Sequence, residues 1–200
     1  MTHSVSDHGH HGHHEGPDAK ATFGFWLYIM TDCMMFAALF ATYIVLRNNT
    51  FGGPGITLIS NLHDVLARSL VLLVMVLFSG FSMVAMRNKS VGGTQLWLVV
   101  SSLIGLVFLA MQYHEFDCVF KMGYNWQSNA FMSSYFTTLG LFCIHICVVL
   151  LWSLILLIQL SMQKLSSMMQ TRVICLNMFV NFLSIIWVFI FSIVYLMGAV

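Results

Sequence analysis

Charge is scarce in this sequence. Asp, Glu, Lys and Arg together make up 8% of its 200 residues, where a soluble domain carries about a quarter, so a water-soluble globule is excluded. Proline is nearly absent and stands only at Pro17 and Pro54. No long apolar run is interrupted by one, which argues against the broken helices that transporters build around a midplane site. Cysteine occurs five times, an odd number scattered mostly through apolar segments (Cys33, Cys118, Cys143, Cys147 and Cys175), so buried thiols are expected and a disulfide framework is not. Eight basic residues against seven acidic leave a net charge of +1, too little basic surface for nucleic acid. Catalytic motifs are missing too. There is no Gly-x-Ser-x-Gly, and the stretch from His114 reads His-Glu-Phe-Asp-Cys in place of His-Glu-x-x-His, so neither hydrolase motif is present.

What the chain has in excess is apolar side chains, 59% of the total. They fall into five runs separated by charged or glycine-rich breaks: residues 23–46, 65–86, 96–113, 131–160 and 174–197. Each is long enough for a transmembrane helix of about 20 residues, so the fold class is all-α, an integral membrane bundle of five transmembrane helices over 23–200. The fourth run would make a helix about 45 Å long, which must tilt or protrude from a hydrocarbon core of about 30 Å. The runs end at Arg47-Asn48-Asn49, Arg87-Asn88-Lys89 and His114-Glu115-Phe116-Asp117, and Gly52-Gly53-Pro54-Gly55 reads as turns. Residues 1–22 form a polar tail that lacks the pattern of a cleaved secretory signal and is expected to be extended or disordered.

Orientation follows from the basic residues that flank the runs. Lys20, Arg87, Lys89, Lys164 and Arg172 lie on the side of the N-terminus, and Arg47, Arg68 and Lys121 lie opposite with Asp64, Glu115 and Asp117. That bias places the N-terminus in the cytoplasm and the C-terminus in the periplasm. Trp26, Tyr28, Trp97, Tyr113 and Tyr195 sit near run ends, where rings favour the membrane interface. Trp152 and Trp187 are deeper and are expected to pack between helices.

Few polar groups interrupt the runs. Asp32 lies about 13 Å into the first at 1.5 Å per residue, where a charged carboxylate costs about 2.5–3.5 kcal/mol. Two roles are open to it: a neutral acid making a structural hydrogen bond, or a member of a proton relay. Asn177, Asn181 and Ser184 share one helical face that should look into the bundle or at a partner. Asn181 and Ser184 lie about 10 and 15 Å deep on the fifth run and bracket Asp32, so they are its expected partners. His145, about 22 Å deep on the fourth, is the second choice. On the third run Ser101 and Gly105 form a small-xxx-small pair, with Gln112 further along the same side, and favour close helix packing.

Metal and heme sites find little support. The tail holds His8, His10, His11, His13 and His14, which could take up a transition metal adventitiously, because interspersed glycines fix no ligand geometry. His145 and His114 differ in depth, so a bis-histidine heme within this chain is not expected. Cys143 and Cys147 flank His145 but share a face that the imidazole does not. No cofactor and no self-sufficient active site are expected here, and the residues by themselves describe one subunit of a larger membrane complex.

Several stretches together resemble subunit III of the heme-copper terminal oxidases, in the five-helix form of the bo-type ubiquinol oxidases. They are Phe23 to Phe36, in which Asp32 falls on the family's membrane-buried acid; Gln112-Tyr-His-Glu115-Phe; the ending Trp187 to Gly198; and the His-rich tail. The chain also departs from the pattern. Phe142 stands where the family usually has the first histidine of Gly-x-His-Gly-x-His, leaving His145 as the second, and Asn181 and Ser184 stand where it has the His and Asp of Trp-His-Phe-x-Asp. The resemblance implies a non-catalytic subunit of the bacterial inner membrane that packs on and stabilises subunit I. Subunit I would hold the hemes and copper of a complex that oxidises ubiquinol, reduces oxygen and pumps protons, with the other oxidase subunits and membrane lipids as further partners. The same resemblance keeps open subunit III of a cytochrome c oxidase; a small membrane transporter subunit is the alternative from another class.

Overall fold

The computed structural model describes residues 17–47, 62–162 and 167–197. The histidine run of the tail (His8, His10, His11, His13 and His14), the turns around Pro54 and Lys164 lie outside the described residues. Five helices are long and apolar enough to cross a membrane, and no strand occurs among the described residues. Helix α1 spans Pro17–Leu46, with proline at the first helical position, where its missing N–H costs nothing. Helix α2 spans Leu62–Arg87, α3 Val91–Lys121, α4 Ala130–Met162 and α5 Ser167–Ile190. The last continues as a π-helical turn, Phe191–Leu196.

The boundaries have local causes. A tight turn joins α2 to α3: Lys89 takes the left-handed conformation at φ 56°, and the Ser90 side chain accepts the Gly93 N–H at 3.3 Å, capping α3. Beyond α3 the chain turns at Gly123, with φ 83°, a conformation glycine adopts without strain. Helix α3 is longer than its apolar run at both ends. His114-Glu115-Phe116-Asp117, read as a stop, is helical throughout. Its charges do not break the helix because each has a partner: Asp117 pairs with Lys121 at 2.6 Å across one turn, and Glu115 turns inward to Arg68.

Packing follows a seven-residue rhythm. The buried positions of α2 are Val65, Arg68, Leu72, Met75, Ser79, Ser82 and Met86, and those of α3 are Thr94, Leu98, Ser101, Gly105, Phe108, Gln112, Glu115 and Val119. Alternating steps of three and four make a left-handed seam between these neighbours. Gly105 lets the backbones close in; a Cβ there would lie 2.9 Å from Leu150 Cδ2 and 3.2 Å from Met75 Cε. Ser101 donates to the Met75 carbonyl at 3.1 Å, and the Ser102 and Ser153 hydroxyls meet at 2.7 Å, so the small-residue stripe is a packing device.

Helix α5 touches α1, α2 and α4 and is the most enclosed of the five. Around it lies an aromatic layer: Phe108 and Phe142 pack on Trp187 with ring centroids 5.0 and 5.2 Å away. Trp187 is buried between helices, and its indole N–H donates to Ser69 at 2.9 Å. Trp152 packs edge-on against Phe25. Tyr195, read as an interface ring, is instead buried, because the π-helical turn ends beside the polar centre described next.

Candidate functional site

Two buried polar centres lie at different depths. The first joins α1 to α4 in mid-bundle. Asp32 and His145 are both buried, and His145 Nε2 stands 3.0 Å from Asp32 Oδ2. The approach is close but off the axis of a hydrogen bond, so this oxygen has no aligned donor. Electrostatic attraction or a small rotation therefore couples the two groups. The Tyr28 phenol, one turn back on α1, lies beside the same carboxyl group. Phe36 and Phe179 wall the imidazole at 5.3 and 6.0 Å between ring centroids.

The imidazole is held by a second contact: His145 Nδ1 lies 2.8 Å from the Leu141 carbonyl, which only accepts, so Nδ1 carries hydrogen.

This arrangement corrects the expected partner of Asp32. Asn177 is buried and accepts the Ser79 hydroxyl at 2.9 Å. Asn181 is exposed, and the Ser184 hydroxyl bonds back to the Asn181 carbonyl at 2.7 Å. At about 100° per residue, Asn177 and Ser184 point within about 20° of one another, toward α2, and Asn181 about 40° to the side. Matching depth was not enough, because α1 packs on the other flank of α5. Cys143 is half-buried and Cys147 exposed, and neither touches the pair.

The second centre lies toward the opposite end of the bundle, where α2, α3 and α5 meet. Arg68 and Glu115 form a buried ion pair, with Arg68 Nη2 donating to Glu115 Oε1 at 2.9 Å. Gln112 serves both partners: its Nε2 donates to Glu115 at 2.6 Å, and its Oε1 accepts from Arg68 at 3.1 Å. The Tyr195 hydroxyl donates to Glu115 Oε2 at 3.2 Å, and the guanidinium stands 5.5 Å from the Tyr195 ring centroid. Arg68 Nε returns to the Asp64 carbonyl at 3.2 Å. Beside this centre Tyr43 donates to the Val194 carbonyl at 3.2 Å, tying α1 to the π-helical turn. Arg68 and Glu115 were counted as flanking charges. They are core residues, and Arg68 carries no information about orientation.

A periodic signal pointed to this centre. Arg68 shares a seven-residue register with Ser79 and Ser82, and Gln112 and Glu115 share one with Ser101 and Gly105. No group of three or more His, Cys, Asp or Glu that could hold a metal occurs among the described residues. The described arrangement can neutralise charge and clamp helices.

Five helices long and apolar enough to cross a membrane, with a buried acid in the first, define an integral membrane helical bundle. Over residues 2–199 the chain matches the family described as Cytochrome c oxidase subunit III, and it belongs to that family. Among its relatives, cytochrome bo(3) ubiquinol oxidase subunit 3 of Pseudomonas aeruginosa is 40% identical over 197 residues, 98% of this chain and 93% of that one. The protein of the same description from Pseudomonas putida is 38% identical over 88% of this chain and 84% of its own. Cytochrome c oxidase subunit 3 of Bacillus subtilis is 34% identical over 88% of this chain and 86% of its own.

Proposed function

We propose that this chain is subunit III of a bo-type ubiquinol oxidase of the bacterial inner membrane. The observation that carries the reading is the 40% identity across almost the whole of both chains to a protein described as subunit 3 of such an oxidase. Its part is structural: it packs on subunit I, stabilises it, and takes no part in electron transfer. Subunit I holds the hemes and copper, oxidises ubiquinol and reduces oxygen. In support, the polar pair between α1 and α4 is internal to this chain: His145 Nδ1 faces the Leu141 carbonyl and its Nε2 faces Asp32 at 3.0 Å.

The chemistry left to this chain is to keep its own charges internal. Asp32 with His145 and Arg68 with Glu115 each bridge two helices inside the bundle, so these groups are turned away from the lipid and the partner. The orientation remains N-terminus cytoplasmic and C-terminus periplasmic. Lys20, Arg87, Lys89 and Arg172 mark one end and Arg47 and Lys121 the other, and with Arg68 paired inside the bundle the bias grows.

Relatives in Bacillus described as cytochrome c oxidase subunit 3 favour a second reading, in which the electron donor is cytochrome c. Purification through a tag on this chain tests the proposal. A heme-bearing subunit in the same complex is the expected result, and a homo-oligomer free of heme would refute it.

A further inference from the structure

Helix α5 is enclosed by α1, α2 and α4 on three sides and open along one stripe. The stripe comprises Asn181, Ile185, Val188 and Ser192, with Ser184 at its edge. On one side of it stands α2, contacted through Asn177 and Trp187; on the other stands α1, contacted through Phe189 against Phe40 at 6.2 Å. The stripe is thus the floor of a groove walled by α1 and α2. Between α5 and α2 the groove deepens into a recess of about 290 Å³, lined by Leu66, Leu73, Val76, Ser184 and Val188 among others.

What sets this face apart is the group at its head. Several exposed hydroxyls in the spans satisfy themselves on their own helix: Thr31 on Leu27, Thr42 on Ala38, Thr137 on Ser133 and, on the stripe itself, Ser192 on Val188. A carboxamide has two donors and an acceptor and cannot do this. The Asn181 side chain is exposed, about 10 Å inside the apolar run of α5, and its carboxamide makes no hydrogen bond with the described residues. Facing lipid tails, it would meet no polar partner at all.

We infer that the α1–α5–α2 groove seats a transmembrane helix of the oxidase's catalytic subunit, and that this helix offers a hydrogen-bonding group to Asn181. The inference rests on the proposed function and adds which face of this chain the partner occupies. A lipid chain could fill the apolar recess but has no group to offer a carboxamide at this depth. A second copy of this chain would bring Asn181 to Asn181, and is the other polar occupant to test.

The experiment uses the whole complex in native membranes. A benzophenone amino acid replaces Ile185, one turn from Asn181, and in a control replaces Leu103 on the exposed face of α3; both chains are tagged, irradiated and purified. The expected result is a cross-link from position 185 to a heme-bearing subunit, and none from 103. Adducts at 185 with lipid only, or with a second copy of this chain, while heme still co-purifies, would overturn the groove assignment and leave the proposed function standing. Absence of co-purifying heme would overturn both. As an independent reading, Asn181→Leu should lower the heme retained in stringent detergent about threefold, the size of one interhelical hydrogen bond in a membrane, and Asn181→Gln should restore it. Equal retention in Asn181→Leu and the parent chain would also overturn the inference.

Discussion

Removing one half of the Arg68–Glu115 pair should hurt unequally, depending on which half goes. Breaking a buried ion pair by deleting one partner costs about 3–5 kcal/mol, because the other charge is left without compensation. Glu115, if orphaned, has a way out: it can take up a proton, keep the Gln112 and Tyr195 contacts in altered form, and become neutral. Arg68 has none, since a guanidinium stays charged in proteins. Its remaining neighbours, Gln112 Oε1 at 3.1 Å and the Asp64 carbonyl at 3.2 Å, are neutral acceptors. Glu115→Gln should therefore cost about 3–5 kcal/mol and Arg68→Met less, about 2 kcal/mol. The pair of substitutions together should cost little more than Arg68→Met alone, because no unpaired charge remains. The assay is reversible unfolding in mixed micelles with increasing dodecyl sulfate, followed by tryptophan fluorescence, for the four members of the cycle. Arg68→Met as costly as Glu115→Gln, or costs that simply add, would refute the reasoning.

Three further outcomes follow from the same contacts. Asp32→Asn should assemble and keep most of the turnover, because an amide N–H there can donate to His145 Nε2, 3.0 Å from the carboxyl group it replaces; loss of proton pumping in an otherwise intact complex would favour a relay role for Asp32 instead. Gly105→Ala should cost about 1 kcal/mol or less in the same unfolding assay, since the atoms it meets are the mobile ends of Leu150 and Met75, and Gly105→Ile should cost about 1–3 kcal/mol by overpacking. Trp187→Phe should keep the ring packing against Phe108 and Phe142 and lose only the Ser69 hydrogen bond, about 1 kcal/mol by unfolding; a cost above about 3 kcal/mol would show that the indole does more.

Much of the fold was legible because transmembrane helices announce themselves by length and apolarity, and five runs gave five helices. Their ends were less legible where charge marked a stop. In α3 the stretch from His114 to Asp117 continues as helix because a partner 47 residues away in sequence neutralises Glu115, and no local pattern reports that. Asp32 stood out by depth alone, yet depth could not name its partner. Choosing between His145 and the Asn181–Ser184 stripe required knowing which flank of α5 faces α1, a matter of bundle topology. The second centre was hidden for the opposite reason. Arg68 and Glu115 lie near run ends, where charged residues ordinarily meet headgroups, and only the seven-residue register they share with buried small residues sets them apart. Tyr195 was misread in the same way, since a ring near a helix end suits an interface equally well until a buried acid is found beside it.

The measurement closest to the central claim is oxygen consumption by the complex purified through a tag on this chain, with ubiquinol and reduced cytochrome c offered separately. Oxygen uptake with ubiquinol, at a heme-bearing subunit that remains bound to this chain, is the expected result. Uptake with cytochrome c alone, or a purified chain with neither heme nor oxidase activity, would contradict it.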